Sequence, residues 1–343
     1  MKIGLVGYQG AGKSAVFQLL TGTPPDPSKA HTGQQGTATI PDERFDRLVE
    51  FYHPKKTVPA RIELLDTPGL DRKQQSTNAQ RLGVIREASA MVQVVGAFSG
   101  ADPLTDAAAF HDDAILADLQ IVSNRVEKLR KDSTKPRPDR EKLLVELEAL
   151  EPVEAKLQSG ESLQDFEFSE AQEDAVRSFS LLTRKPRLIV INTADAQIDA
   201  GSIQQLQEQG HRVVAAPFGL ELELQSLPDE DRAEFAAEMG ITEPSRELLL
   251  RAIFDVTEQI TFYTCDEKEV HAWLLHNGEA ALDAAGTIHT DLARGFIRAE
   301  ITPVGELLTF GSERDAKAAG LMHVEGKDYV MQDGDEIVVR FSV

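Results

Sequence analysis

Eight residues near the start of the chain, Gly7-Tyr8-Gln9-Gly10-Ala11-Gly12-Lys13-Ser14, fit the pattern G-x-x-x-x-G-K-[ST]. These types at this spacing suit one task, holding the phosphates of a nucleotide. Gly7, Gly10 and Gly12 let backbone N–H groups turn inward around phosphate oxygens, with Ala11 and Ala15 counted in the same cradle. Lys13 is expected to reach the β and γ phosphates and to be the catalytic cation. Ser14 is expected to offer its hydroxyl to Mg²⁺. A second stretch, Asp66-Thr67-Pro68-Gly69, has the form D-x-x-G: Asp66 would hold Mg²⁺ through water and the Gly69 N–H would sense the γ-phosphate. Thr32 is the candidate to complete the metal shell, with Thr37 and Thr39 as alternatives. At the far side of the same site, Asn192-Thr193-Ala194-Asp195 approximates the N-K-x-D of guanine readers, in which the Asp accepts both guanine N–H groups. Thr193 breaks that pattern. Pro217 and Phe218 are expected in the last base-side loop. Residue 70 is Leu where many GTPases carry the Gln that orients the attacking water, so hydrolysis should be slow or use a group from elsewhere.

These motifs work only on particular elements. Lys2-Ile3-Gly4-Leu5-Val6 is an apolar run that reads as a buried strand before the glycine loop, and Ala15 to Leu20 reads as the helix after it. The helix N-terminus adds a dipole that favours the anion. Residues 22–36 are rich in Pro, Gly, Ser and Thr and read as a loop. Arg61 to Leu65, Ala90 to Gly96, Arg187 to Ile191 and Val213 to Ala216 read as further strands, each ending near a motif or loop of the site. A helix is expected over residues 41–52. From residue 111 to 183 apolar residues recur at helical spacing, and Lys135-Pro136-Arg137-Pro138 divides the stretch into a hairpin, either a spacer or an arm for a partner. After residue 260 short strands and turns predominate, with a helix at 280–285 that Gly286 would cap and a last strand from Glu336 to Phe341.

The chain has 343 residues, 41% of them hydrophobic, which allows two or three domains with sizeable cores. Its formal charge is −21, so a broad nucleic-acid surface is not expected. Residues 262–343 alone hold fifteen acids against seven Lys and Arg. The single cysteine, Cys265, excludes an intrachain disulfide and fits a reducing, cytoplasmic setting. No signal peptide and no apolar run long enough to span a bilayer are read. His271, His276, His289 and His323 lack metal-ligand spacing and read as structural.

Taken together, the residues resemble the YchF-type (Obg-like) ATPase/GTPase family over nearly the whole chain. The resemblance is carried by the early P-loop, Pro41-Asp42-Glu43-Arg44, Ile85-Arg86-Glu87, the helical insertion, and the C-terminal runs Ala285 to Asp291, Gly295 to Glu300, Ala319-Gly320, Glu325 to Tyr329 and Gln332 to Asp335. It implies an α/β fold: a Ras-like P-loop G domain with a coiled-coil insertion, followed by a small α+β, β-grasp-like TGS domain. It also implies slow hydrolysis of ATP or GTP with Mg²⁺, and a ribosome or protein partner met through the insertion and the TGS domain. This chain departs from the family pattern at several places. Gly10 stands for the family's Asn, removing an oxygen that a potassium site needs, and Ala15 for its Thr. Asp71 to Ser76 replaces a glycine-rich run, and Asp195 replaces a Glu that goes with ATP preference. The expected divisions are residues 1–110 with 184–260 for the nucleotide domain, 111–183 for the insertion and 261–343 for the TGS domain. The rival reading is a nucleotide-dependent switch or scaffold with negligible hydrolysis.

Overall fold

The computed structural model describes residues 1–73, 75–196, 199–241 and 243–342. Gln74, within the run that departs from the family pattern, lies outside them. The chain begins β1 (Lys2–Val6), α1 (Lys13–Thr21), β2 (Gln34–Thr39), α2 (Glu43–Tyr52), β3 (Lys56–Val58), β4 (Arg61–Asp66), α3 (Gln75–Ile85) and β5 (Ala90–Val95). Then come α4 (Pro103–Ser133), α5 (Arg140–Gln158), α6 (Glu170–Val176), β6 (Arg187–Asn192), α7 (Ala200–Glu208), β7 (Arg212–Ala216), α8 (Phe218–Leu224), α9 (Asp229–Glu238) and α10 (Ser245–Val256). The last part runs β8 (Gln259–Cys265), β9 (Glu269–His276), α11 (Ala281–Ile288), α12 (Thr290–Arg294) and β10 (Phe296–Pro303). It ends with α13 (Val304–Leu307), α14 (Glu313–Ala318), β11 (His323–Glu325) and β12 (Asp335–Phe341). Two compact units result, residues 1–36 with 63–249 and residues 37–62 with 250–343.

The first unit is built on a sheet of order β2-β4-β1-β5-β6-β7, in which β4, β1, β5, β6 and β7 pair in parallel. Strands covered on both faces are largely apolar: Ile3, Leu5 and Val6 are fully buried, and Ala90–Val95 is buried at every position, its one polar residue, Gln93, donating Nε2 to the Asp106 carbonyl at 3.1 Å. β1 is flanked by β4 on one side and β5 on the other, so successive connections leave it in opposite directions. The crevice past its carboxyl end is where open α/β sheets bind ligands, and Gly7 to Gly12 occupy that end.

α4 begins at Pro103, earlier than helical spacing predicts, because Asp102 caps it through its side chain to the Thr105 N–H and Pro103 suits a first-turn position. Residues 134–139 break the helix as predicted. α4 and α5 then share a core of Ile115, Val122, Val126, Leu129, Leu150, Val153 and Leu157. Arg125 clasps Glu146 across them through two bonds of 2.6 Å.

The second unit is a six-stranded sheet of order β11-β10-β12-β8-β9-β3. Residues 37–62, which the sequence reading leaves with the nucleotide domain, group here. β3 pairs in parallel with β9, and Phe45 and Leu48 of α2 join Tyr263, Val270 and Val304 in one core. The Arg44 guanidinium donates to Asp42 and Asp333, and the Tyr263 hydroxyl to Asp42. Gly286 lies inside α11 rather than capping it. The helix runs on to Ile288, and the extended His289 (φ −166°) ends it. Among the described residues no helix is long and apolar enough to cross a membrane.

Candidate functional site

The glycine loop has the backbone its sequence demands. Gly7, Gly10 and Gly12 have φ of +128°, +80° and +90°, which only glycine adopts without strain. Space forbids a side chain as firmly as angle does at two of them. A Cβ at Gly7 would stand 2.4 Å from the Val94 carbonyl oxygen, and one at Gly12 would stand 2.2 Å from Asn192 Nδ2. Gly12 is the left-handed N-cap of α1, so Lys13 opens the helix and Ser14 lies in its first turn. Ala11 is buried against the end of β6, where its carbonyl accepts from Asn192 Nδ2 at 3.4 Å, and Ala15 continues the helix.

A cavity of about 370 Å³ opens here, lined by Gln9, Gly10, Lys13, Ser14, Asp66, Gly69 and Arg81 with the loop Pro25 to His31 opposite. Lys13 is 7% exposed and donates Nζ to the Tyr8 carbonyl at 3.0 Å. Burial pushes its ammonium down to about 8; Asp66 opposes that shift and Arg81 adds to it. The Ser14 hydroxyl donates to Asp66 Oδ2 at 2.6 Å. The other carboxylate oxygen, Oδ1, is buried with no hydrogen-bond partner. Burial raises the Asp66 pKa, against the Ser14 bond and Lys13, which lower it. Thr67 fixes this turn on β1 through its hydroxyl to the Leu5 carbonyl at 2.6 Å. Gly69 approaches the loop so closely that a Cβ there would stand 2.8 Å from Lys13 Nζ and 2.9 Å from the Gln9 backbone. The Leu70 N–H donates to the Gly7 carbonyl and the Gln9 N–H to the Leu70 carbonyl, joining the two motifs backbone to backbone.

A hydroxyl beside a carboxylate with an unpaired buried oxygen is a pair of hard oxygen donors, which fits Mg²⁺. Among the described residues no group of three or more His, Cys, Asp and Glu could hold a metal. A metal at Ser14 and Asp66 therefore needs ligand phosphate oxygens or water to complete its shell.

A smaller cavity of about 260 Å³ lies past the end of β6, lined by Phe98, Pro103, Ile191, Thr193, Ala194, Asp195 and Ser202 among others. Asp195 is exposed there, and the Thr193 hydroxyl donates to its carbonyl at 2.6 Å. Asn192 Oδ1 is buried without a partner. Phe98 is 46% exposed, and its ring lies 3.4 Å from where a Gly12 Cβ would be.

Several predicted residues do not reach either cavity. Thr32 is exposed and lines neither, although His31 beside it does; Thr37 and Thr39 lie in β2. Pro217 and Phe218 line neither: Phe218 opens α8 and its side chain is fully buried in the core. Two residues were not read from the sequence. Phe98 follows the largely apolar strand Ala90–Val95 and looks like its continuation. Arg81 sits on α3, which carries no motif. Its one usable signal is a cation a helical turn before the apolar Ile85.

Comparison with known proteins agrees with this geometry. Residues 2–131 match the family profile MMR_HSR1, described as 50S ribosome-binding GTPase. Residues 259–342 match YchF-GTPase_C, described as Protein of unknown function (DUF933). The chain is 32% identical to the Ribosome-binding ATPase YchF of Bacillus subtilis (strain 168), with 99% of each covered. The chain belongs to the YchF family. The YchF protein of Escherichia coli O157:H7 is 31% identical, covering 100% of this chain and 99% of its own. Obg-like ATPase 1 of Oryza sativa subsp. japonica is 32% identical, with coverages of 100% and 92%. The solved structure of the Schizosaccharomyces pombe YchF GTPase aligns with a TM-score of 0.81 at 25% identity, covering 99% of this chain and 97% of the other. YchF membership gives the mixed α/β fold with a P-loop GTPase domain, and with it a nucleotide as the ligand to be fitted.

Proposed function

We propose that the chain binds a purine nucleoside triphosphate with Mg²⁺ and hydrolyses it slowly. The observation that carries this reading is the buried Lys13 facing the Ser14–Asp66 pair with its unpaired oxygen. In a chain of formal charge −21, the larger cavity gathers three cationic side chains, Lys13, Lys29 and Arg81, against two carboxylates, Asp26 and Asp66. Such a local reversal of sign draws an anion. In this reading Gly7, Gly10, Ala11, Gly12 and Ala15 cradle phosphates with backbone N–H groups, and the Gly69 N–H meets the terminal one. Lys13 binds the β and γ phosphates and stabilises charge on the group transferred. Ser14 and Asp66 hold the metal, which when bound neutralises phosphate charge. Asp195 reads the base edge, with Asn192 bracing the loop, and the exposed ring of Phe98 stacks on the purine face. Thr32 would need the loop between α1 and β2 to move before it could join the metal shell.

The relatives named as ribosome-binding support a ribosome as the partner of this chain too. The α4–α5 hairpin, read as a coiled-coil arm, and the second unit, read as a TGS domain, are the surfaces proposed to meet it. Calorimetric titration of one sample with ATP and with GTP, with and without Mg²⁺, tests the nucleotide reading. Binding of at least one nucleotide that strengthens with Mg²⁺ is expected, and heat-silent titrations with both would sink it. The fully buried Leu70 favours a second reading, a switch that turns over very little. A single-turnover assay separates the two.

A further inference from the structure

A YchF-type site that hydrolyses nucleotide lacks its water-orienting glutamine here, and the structure shows that residue 70 cannot substitute for it. Leu70 is fully buried against Val6, Tyr8, Ile85 and Phe110. The cavity holds two other groups at that end. Arg81 Nη1 donates to the Gly69 carbonyl at 2.6 Å. With its amide oxygen turned towards Arg81, Gln9 accepts from Nη1 and Nη2 at 3.1 and 3.2 Å. Among the described residues no carboxylate pairs with Arg81, so both of its partners are neutral. A guanidinium has five donors, and these bonds leave some free. It also stands near Lys13, close enough to disfavour the lysine's charge. Two cations facing one cavity repel each other unless an anion lies between them.

We infer that Arg81 is the missing catalytic group: its guanidinium binds the terminal phosphate of the bound triphosphate, and Gln9 positions it over Gly69. The inference rests on the nucleotide reading above. In the reaction a water oxygen bonds to the γ-phosphorus and the bond from that phosphorus to the β,γ-bridging oxygen breaks. The electron pair stays on the diphosphate, and the water's protons pass to phosphate and solvent. Arg81 offsets the negative charge that spreads over the transferring group, as arginines supplied in cis do in other phosphoryl-transfer sites.

The test uses the full chain with Mg²⁺ and measures single-turnover hydrolysis of ATP and GTP, with affinities for the tri- and diphosphates of each. Arg81→Ala is expected to slow turnover ~100-fold or more. It should also erase the preference for triphosphate while leaving diphosphate affinity within about threefold, since the lost charge-assisted contact goes to the terminal phosphate alone. Arg81→Lys should recover part of the rate, because charge without the fork serves incompletely. Arg81→Gln keeps a donor for the Gly69 carbonyl and so separates lost charge from lost anchoring. Gln9→Ala should slow turnover less than Arg81→Ala. Wild-type turnover and an unchanged triphosphate preference in Arg81→Ala overturn the assignment alone. A wild type that binds neither nucleotide overturns the nucleotide reading and this assignment with it. If the wild type binds without hydrolysing, the affinity ratio decides: its collapse in Arg81→Ala supports the role, and its persistence refutes it.

Discussion

Both units bury ionisable groups, and they differ in what those groups face. In the first unit Lys13 is buried and Asp66 half-buried at the wall of an open cavity, with the buried carboxylate oxygen Oδ1 of Asp66 left unpaired. In the second, Glu336 is 4% exposed and accepts from the Tyr52 hydroxyl at 3.2 Å, near Cys265, in the protein interior. Burial raises the Glu336 carboxyl to about 7, helped by Glu313 and opposed by the Tyr52 bond and Lys317. A shifted pKa is therefore a poor guide to function when taken alone. The cavity and the unpaired atom distinguish the first pair from the second.

The strongest way to break this contrast is Lys13→Ala. Loss of a charge-assisted contact to phosphate is expected to weaken nucleotide binding ~100-fold or more, with little change in melting temperature. Wild-type affinity in Mg²⁺ buffer would place the site elsewhere. Glu336→Gln should do the reverse, leaving affinity alone and changing stability. The Glu336 pKa is raised on folding, so its protonated form favours the folded state. That contribution is complete below about pH 4.5 and is lost as pH rises through about 7. Between pH 5 and pH 8 the wild type should lose about 2–3 kcal/mol relative to Glu336→Gln. Hydrogen exchange of β8 and β12 reads this directly, and parallel pH profiles for the two proteins would refute it.

Smaller effects should sharpen the comparison within the first unit, between its phosphate end and its base end. Asp195→Asn removes the carboxylate that pairs with guanine N–H groups. A drop of about tenfold in GTP affinity with ATP nearly unchanged is expected if Asp195 reads guanine. Equal effects on both nucleotides would exclude it as the base reader. Phe98→Ala should weaken both nucleotides by about fivefold, the low end of base–aromatic stacking. An effect confined to one of them would argue against stacking.

What could be read from the sequence follows from how each part is built. The phosphate end is made of backbone geometry, and backbone geometry constrains residue type. Positive φ at Gly7 and Gly12 and contacts that exclude a Cβ leave only glycine, so the motif announces itself. Arg81 and Phe98 contribute side chains whose usefulness depends on tertiary placement, and neither residue type is obligatory at a helix surface or a strand end. Pro217 and Phe218 illustrate the opposite error, a motif position filled by residues that turned out to serve the core. The grouping of residues 37–62 with the second unit was hidden for another reason. β3 pairs with β9 across more than 200 positions of sequence, and local patterns carry no trace of so distant a partner.

Cys265 has a practical consequence. It is the protein's single thiol, only partly accessible, and burial together with the nearby Glu336, Asp266 and Glu313 raises its pKa well above the ordinary thiol range. Thiolate is the form that reacts with maleimides, so the native chain should label poorly at neutral pH. A cysteine introduced on the α4–α5 hairpin would then be the one fast-reacting position. A fluorophore placed there could follow the arm through a nucleotide cycle without first removing the native thiol.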